Sequence, residues 1–440
     1  MSRCLSAAEV RSLKSEVRNA PESHYTTLEN GATLLVKQTT TTPAVTISLA
    51  MRAGSIADPT GMPGMTSLLA RVIDRGTATR SAAEIAEDLD SRGITLTTAV
   101  TRHLFTLTCT CLAEDFEPVL AVLGDILMSP SLPEDEIATR KGEVITAIRQ
   151  DDDSPAVRAT EGLMALLYPN GHPYGRRTKG SIDTVARFTR EQLLRLHAER
   201  FAPSELTAVI VGDVDPTHAA DVTARVFGGW NKPAPAPLAL SAVTAATHRQ
   251  RVVVSMMNKS QADIAYGFTT ITRRDPSYYA LWLMNVAFGQ YAIGGRLGDS
   301  IRERQGMAYY VSSSLDANIV EGPLAIRAGV SPTNVDRAIA SIDEEIVRLV
   351  RDGLTVQELD ESRRYLIGSI PRSLETNAAI ANFVQTEEFF GLGLDYDTQL
   401  PGLLSAVTMD DVNAAARQAL DPDRATLVVA GPYQEISQSP

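Results

Sequence analysis

The pattern of apolar and polar positions divides the chain into two blocks, each with strands first and helices later. In the first block, alternation with period two predicts strands and apolar stripes of helical period predict helices. The predicted strands cover residues 24–29, 32–39, 44–53, 95–98 and 104–112, and the predicted helices cover residues 115–128, 133–150 and 155–167. Asn30-Gly31 is a strong hairpin signal between the first two strands. Ser81 and Glu84 form a capping box that begins a further helix.

The second block repeats this theme. Its predicted strands lie near residues 251–257, 263–269, 308–316 and 323–329, and its predicted helices near residues 277–288, 294–304, 333–352, 355–374 and 376–389. Because strands and helices come in groups rather than in strict alternation, the pattern predicts the α+β class.

An internal repeat relates the two blocks. Residues 188–212 align without a gap to residues 407–431, at an offset of half the chain. Thr189 and Thr408 are predicted helix N-caps, Pro203 and Pro422 end the two helical regions, and both copies continue into an apolar strand closed by Gly. Solenoid repeats are much shorter, so the repeat predicts two copies of one domain.

The predicted domain boundary is a stretch rich in Pro and Ala. Residues 228–237 contain too much Pro for a helix or a central strand and continue into a run of small residues up to 247. We therefore assign residues 20–228 to an N-terminal domain, 229–248 to a linker and 249–433 to a C-terminal domain.

Composition and charge limit the classes of function. The 440 residues allow two domains with separate cores, and 44% hydrophobic and 21% charged residues are ordinary globular values. The net charge of −12 argues against nucleic acid as the main partner. No apolar run reaches the roughly 18 residues of a membrane helix, and residues 1–11 lack a secretory signal. We expect a cytoplasmic protein with neither nucleic acid nor a membrane as its partner.

Three cysteines indicate a reducing compartment without a disulfide framework. Cys109 and Cys111 lie two apart on a predicted strand and therefore share one face, whereas Cys4 stands alone near the N-terminus. We favour a place in the core over a metal or redox site, because no His and no second cysteine pair accompanies them.

The most informative motif is Gly64-Met-Thr-Ser-Leu-Leu-Ala-Arg-Val-Ile-Asp-Arg-Gly-Thr77. It resembles the active-site helix of the inverted-zincin metallopeptidases, the family of pitrilysin, insulin-degrading enzyme and mitochondrial processing peptidase. Members read G-x-x-H-x-x-E-H-x-x-x-x-G-T there. The frame glycines and threonine are retained, but three positions are replaced: Ser67 stands at the first His, Ala70 at the Glu and Arg71 at the second His.

These replacements remove the family's chemistry. Two His four apart on one helix face bind one zinc, and the Glu between them is the general base for the metal-bound water. Ser67 is a poor zinc ligand, Ala70 cannot accept a proton, and Arg71 repels a cation. The resemblance thus implies that this chain holds no metal.

The third zinc ligand is also replaced. In the family it is a Glu about eighty residues later, in the pattern G-x-V-x-x-E-I-x-x-x-x-D-x-P, and residues 142–155 are similar to that pattern. Ala147 falls at the ligand position. Glu143 is a rival ligand by residue type, but it lies one helical turn away and has no His partner.

A second motif lies in the other half of the chain. Residues 294–309 are similar to the family's R-L-x-x-x-I-R-E-x-x-G-L-A-Y, in which an Arg and a Tyr reach the zinc site and bind the substrate backbone and the tetrahedral intermediate. Arg302 and Tyr309 match this pair, and their donors suit a developing oxyanion. In isolation, Arg302 could instead form ion pairs on an exposed helix. Tyr310 follows on the opposite strand face and is the less suitable tyrosine.

The resemblance covers nearly the whole chain and implies two α/β-roll domains that form half of a clamshell. The first hypothesis is a non-zinc-binding subunit of a two-chain zinc endopeptidase, in which a homologous HxxEH subunit holds the zinc and this chain contributes Arg302 and Tyr309. The alternative is a structural or peptide-binding subunit without chemistry, and a third is a hydrolase that uses other groups. Thr98 replaces the Asn of the family's substrate-side strand, so peptide binding by this half is open. Without the partner, a homodimer is possible.

Overall fold

The protein contains two β-sheets, and the computed structural model describes residues 23–291 and 294–434. The first sheet has six strands in the order β1-β2-β6-β3-β5-β4. Strands β2 and β6 are parallel, and the other neighbours are antiparallel. The strands are β1 (Ser23–Thr27), β2 (Thr33–Gln38), β3 (Ala44–Met51), β4 (Thr97–Val100), β5 (Phe105–Leu112) and β6 (Leu206–Gly212).

The second sheet repeats this topology with one strand fewer. Its order is β7-β11-β8-β10-β9, and the parallel pair of β7 and β11 corresponds to β2 and β6. The strands are β7 (Gln250–Ser255), β8 (Ala262–Thr269), β9 (Ala308–Leu315), β10 (Pro323–Val330) and β11 (Thr426–Gly431). The α+β class is confirmed.

Helices surround both sheets. In the first half they are α1 (Met65–Val72), α2 (Ala82–Asp90), α3 (Phe116–Met128), α4 (Glu134–Asp152), α5 (Pro155–Leu167), α6 (Ile182–Arg187), α7 (Arg190–Arg200) and α8 (Pro216–Phe227). In the second half they are α9 (Tyr278–Asn285), α10 (Val335–Asp352), α11 (Val356–Ser373), α12 (Asn377–Phe390), α13 (Tyr396–Ala406) and α14 (Met409–Ala419).

Most of these elements agree with the apolar pattern, and three helices were missed. Helix α6 has only six residues, α8 begins at Pro216, and α13 contains Pro401. Proline is unfavourable inside a helix, so the sequence around α13 does not indicate one.

The repeated segments adopt the same structure. Thr189 accepts a hydrogen bond from the Gln192 amide and Thr408 from the Asp411 amide, each within a capping box. Both N-cap predictions are therefore confirmed. After α7 and α14, a short turn at Pro203 or Pro422 leads into the buried strand β6 or β11.

Each sheet is covered on one face by its own half and on the other face by a helix from the other half. Helix α12 packs on β3 and β6 of the first sheet, and α5 packs on β8 and β11 of the second. Strand residues alternate between these two environments: Ile210 belongs to the main core of the first half, whereas Val209 and Val211 contact Ala381 and Val384 of α12. The two halves therefore share packed interiors.

Helices α5 and α12 each pack on the sheet of the half to which they do not belong in sequence. Helix α5 belongs to the first half by sequence, although it covers the second sheet. Polar contacts join the halves as well: the Asn377 side-chain amide donates to the Ala44 carbonyl at 3.0 Å, and Lys37 lies 3.2 Å from Asp397. The domain bounds at residues 228 and 249 remain a prediction from the sequence.

The cysteine pair lies in the core, as the strand pattern predicts. Cys109 and Cys111 are both buried in the main cluster of the first half and are free thiols. Burial raises the pKa of the Cys111 thiol to about 11, so the group is neutral and behaves as a small apolar side chain. Cys4 lies outside the described residues. Among the helices of the described residues, none is long and apolar enough to cross a bilayer.

Candidate functional site

Helix α1 carries three of the replaced positions, and a buried carboxylate holds its N-terminus. The Gly64 and Thr66 amides each donate to Asp58 at 2.7 Å. Burial raises the pKa of Asp58 to about 6, although these hydrogen bonds favour its charged form. Gly64 has a φ of +96°, and a side chain there would meet the Lys179 carbonyl at 2.4 Å. The retained glycine therefore lets the start of α1 pack closely against the loop that contains Lys179.

The structure brings the helices with the four replaced positions together. Helix α1 packs against α4, which carries Ala147. Ser67 and Ala147 are half-buried, Ala70 is buried and Arg71 is exposed. The frame that would support a metal site is thus present, whereas the side chains on it are a hydroxyl, two methyl groups and a guanidinium.

The neighbouring acidic residues do not replace the missing ligands. Glu143 forms an ion pair with Arg140 at 2.6 Å on the exposed side of α4, and Asp74 lies 3.1 Å from Arg75. In residues 23–291 and 294–434, no three His, Cys, Asp or Glu side chains are grouped so that they could hold a metal ion. These residues do not fit a zinc ion.

We expect the purified chain to contain far less than one zinc per molecule, because a catalytic zinc site needs about three protein ligands and a water. Mass-spectrometric metal analysis after dialysis against zinc measures this, with an HxxEH-bearing relative as the positive control. About one zinc per chain, lost on Ser67→Ala, would contradict the expectation.

Arg302 lies at the end of a π-helical segment, Gly298–Arg304. π-Helical turns are rare in proteins, and those that do occur are often at functional sites. The side chain of Arg302 is 42% exposed, and its Nε lies 3.7 Å from Glu303. Arg304 instead pairs with Asp299 at 2.9 Å. An ion pair on the helix surface therefore accounts for Arg304. Most of the Arg302 guanidinium is free for a ligand.

A tight turn connects this segment to β9. Gly306 has a φ of +62°, its amide donates to the Arg302 carbonyl at 3.1 Å, and the Met307 amide donates to the Ile301 carbonyl at 3.1 Å. The helical segment contacts β9, where Tyr309 is 66% exposed. Arg302 and Tyr309 thus lie on adjoining elements of the second half, while the four replaced positions lie in the first half.

Tyr310 is half-buried, and it has a contact that strand alternation alone does not predict. Its hydroxyl donates to the buried Asp263, so it is not a free phenol that simply faces away from the site. The strand also contains a bulge at Tyr309, where the pairing with β10 shifts between Gly329 and Val330. Sequence reasoning missed both features, although an isolated glycine in a strand, such as Gly329, is a known signal for a bulge or a close approach.

Comparison with protein families follows this division into two halves. The family model described as "Insulinase (Peptidase family M16)" matches residues 33–179. The family model described as "Peptidase M16 inactive domain" matches residues 187–366. The chain belongs to peptidase family M16. This is the pitrilysin and mitochondrial-processing-peptidase family that the two motifs predict, so the assignment from sequence is confirmed.

Relatives of this chain carry names of both kinds, protease and non-peptidase. An uncharacterized zinc protease of Streptomyces coelicolor is 26% identical over 419 residues, which are 94% of this chain and 90% of the relative. The non-peptidase homolog YmxG of Helicobacter pylori is 23% identical over 375 residues, 83% of this chain and 84% of the relative.

Solved structures share the fold. A peptidase M16 inactive domain from Pseudomonas fluorescens has a TM-score of 0.88 at 24% identity and covers 95% of this chain and 99% of its own. The periplasmic protease PqqL from Escherichia coli has a TM-score of 0.78 at 22% identity, and the match covers 95% of this chain and 46% of PqqL. The two-domain M16 fold is therefore established.

Proposed function

We propose that this chain is the non-zinc-binding subunit of a two-chain zinc endopeptidase. A homologous HxxEH subunit holds the zinc, and this chain supplies Arg302 and Tyr309 to that site. The observation that carries the proposal is the combination of an intact α1–α4 frame without metal ligands and an Arg/Tyr pair whose side chains are exposed.

The chemical roles follow from the two side chains. Arg302 offers several N–H donors in a fixed planar arrangement and Tyr309 one O–H donor. Donors held at a site before the reaction stabilise the negative charge that develops on a peptide carbonyl oxygen. In this proposal the partner would supply the zinc and the general base for the attacking water, and Arg302 and Tyr309 would bind the substrate backbone and the intermediate.

A structural or peptide-binding subunit without chemistry is the second candidate. The replacement of all four functional positions favours it, and one relative has the name of a non-peptidase homolog. The two candidates differ only in whether Arg302 and Tyr309 act on substrate. A location in the cytoplasm remains a prediction from the sequence under either candidate.

Mixing the two subunits tests the proposal. We expect no cleavage of a fluorogenic peptide library by this chain alone, cleavage by the mixture with its HxxEH paralogue, and loss of that activity with a zinc chelator, because this chain offers neither a Lewis acid nor a base. Light scattering should show a dimer of the two chains, with a pseudo-symmetric interface, and a homodimer of this chain is possible when the paralogue is absent.

Two controls make the result interpretable. A paralogue with Gln in place of the HxxEH Glu should assemble with this chain and remain inactive, which excludes a contaminating protease. A paralogue that is fully active alone would contradict the proposal and support the scaffold. Chelator-resistant cleavage by this chain alone would support a hydrolase that uses other groups.

A further inference from the structure

Tyr309 is an extra residue in an edge strand. In the antiparallel pairing of β9 with β10, Tyr310 lies opposite Gly329 and Ala308 lies opposite Val330, so Tyr309 has no partner residue. This arrangement is a β-bulge, which bends the strand and changes the direction of a side chain. Because β9 is the last strand of its sheet among the described residues, none of their strands lies on its outer side to fix the bulge.

A single side chain ties the bulged strand to the sheet interior. The ring of Tyr310 lies over the bare backbone of Gly329, since a Cβ on that glycine would be 2.5 Å from the tyrosine Cε1. Asp263 of β8 lies opposite Gly329 on its other side. The Tyr310 hydroxyl donates to the Asp263 carboxylate at 2.5 Å. Tyr310 therefore crosses β10 and connects β9 to β8.

The acceptor of this hydrogen bond is buried and depends on few donors. Asp263 is 3% exposed, and its other side-chain partner is the Gln261 amide at 3.2 Å. Burial raises the pKa of Asp263 above its ordinary value, while the two hydrogen bonds lower it. A buried carboxylate that loses a donor retains its desolvation penalty, so this contact strongly favours one position for Tyr310.

We propose that Asp263 and Tyr310 are positioning residues that hold the bulge and thereby direct the Tyr309 hydroxyl towards the site shared with the partner. Gly329 is the third component, because only a residue without a side chain lets the Tyr310 ring pass. The catalytic consequence rests on the proposed function, whereas the positioning itself is a property of this chain.

A kinetic double-mutant cycle tests whether Tyr310 acts through Tyr309. In the complex with the HxxEH partner, Tyr310→Phe should lower kcat by about 10-fold to 10²-fold with little change in KM, since a small misplacement of a reacting group has effects of this size. In the Tyr309→Phe background, the same change should lower kcat no further. Equal losses of kcat in both backgrounds would overturn the inference.

Two further variants and one control separate positioning from general damage. Asp263→Asn keeps an acceptor and should retain more activity than Asp263→Ala. Gly329→Ala keeps Tyr310 and Asp263 but places a methyl group 2.5 Å from the Tyr310 ring and 2.4 Å from the Gln261 amide, so it should resemble Tyr310→Phe. Ser314→Ala, at an exposed position near the other end of β9, should match the wild type.

Fluorine NMR of the isolated chain gives a readout that needs no activity. After incorporation of 3-fluorotyrosine, the Tyr309 resonance is the one lost in Tyr309→Phe. It should shift and narrow in Tyr310→Phe and in Gly329→Ala, and stay in place in Ser314→Ala. An unchanged resonance would overturn the inference. If the resonance moves but Tyr309→Phe is fully active, the positioning stands and the proposed function falls.

Discussion

Replacing Arg302 by Ala or Tyr309 by Phe is expected to lower kcat of the complex by about 10²–10³, which corresponds to roughly 3–4 kcal/mol of lost transition-state stabilisation. In the proposed two-chain enzyme, each change removes a donor to the developing oxyanion and leaves the partner's zinc in place. Because the proposal has both groups act on one intermediate, the double variant should lose less than the sum of the single losses. Steady-state kinetics, zinc content and light scattering of each complex measure the three quantities.

Two other side chains of the second half that are at least partly exposed serve as matched controls for this prediction. Arg304→Ala removes a neighbouring guanidinium that pairs with Asp299, and an exposed ion pair contributes only about 0–1 kcal/mol. Tyr365→Phe removes a hydroxyl from another partly exposed tyrosine. Both controls should keep near-wild-type activity. Tyr310→Phe is unsuitable as a neutral control, because its hydroxyl donates to the buried Asp263. Full activity of Arg302→Ala and Tyr309→Phe would favour the scaffold.

Leu163→Ala should lower the free energy of unfolding by about 2–5 kcal/mol, since it leaves a cavity where a large apolar side chain was buried. Leu163 is 1% exposed on α5 and packs directly on Gly267 of β8. The loss should affect the whole chain, because α5 belongs to the first half and covers the second sheet. Urea unfolding followed by circular dichroism and tryptophan fluorescence measures it.

The unfolding experiment tests whether the two halves unfold together or as independent domains. Leu112→Ala is the control, because Leu112 is 48% exposed and surface changes usually stay within about 0.5 kcal/mol. With shared interiors, both probes should follow a single transition in the wild type and in Leu163→Ala. Two separated transitions in the wild type would contradict the account of the fold.

Local signals in the sequence were sufficient for most secondary structure. Asn30-Gly31 does connect β1 to β2, and the Asn30 side chain accepts from the Ala32 amide at 3.2 Å. The capping box at Ser81 is also present. These features depend on residues within a few positions of one another, so the chain shows them without knowledge of the fold.

The candidate site was only partly predictable for the same reason. The loss of metal ligands at Ser67, Arg71 and Ala147 follows from residue type, and no fold can make a methyl group bind zinc. The bulge at Tyr309 requires the pairing of β9 with β10, and the support from Asp263 requires a third strand. A contact between residues 47 positions apart, such as that of Tyr310 with Asp263, does not follow from local patterns.

The sequence by itself determined the family, the repeated α+β architecture, and the absence of the HxxEH chemistry at α1. Only the tertiary structure decided how the halves share their interiors. The alternation of apolar and polar residues predicts that β3 is buried on one face only. In the structure all but its first residue are buried, because α12 from the other half covers its second face. Strand β8 is buried in the same way under α5. The physical reason is that burial is a property of both faces of a sheet, and the second face is covered by residues far away along the chain.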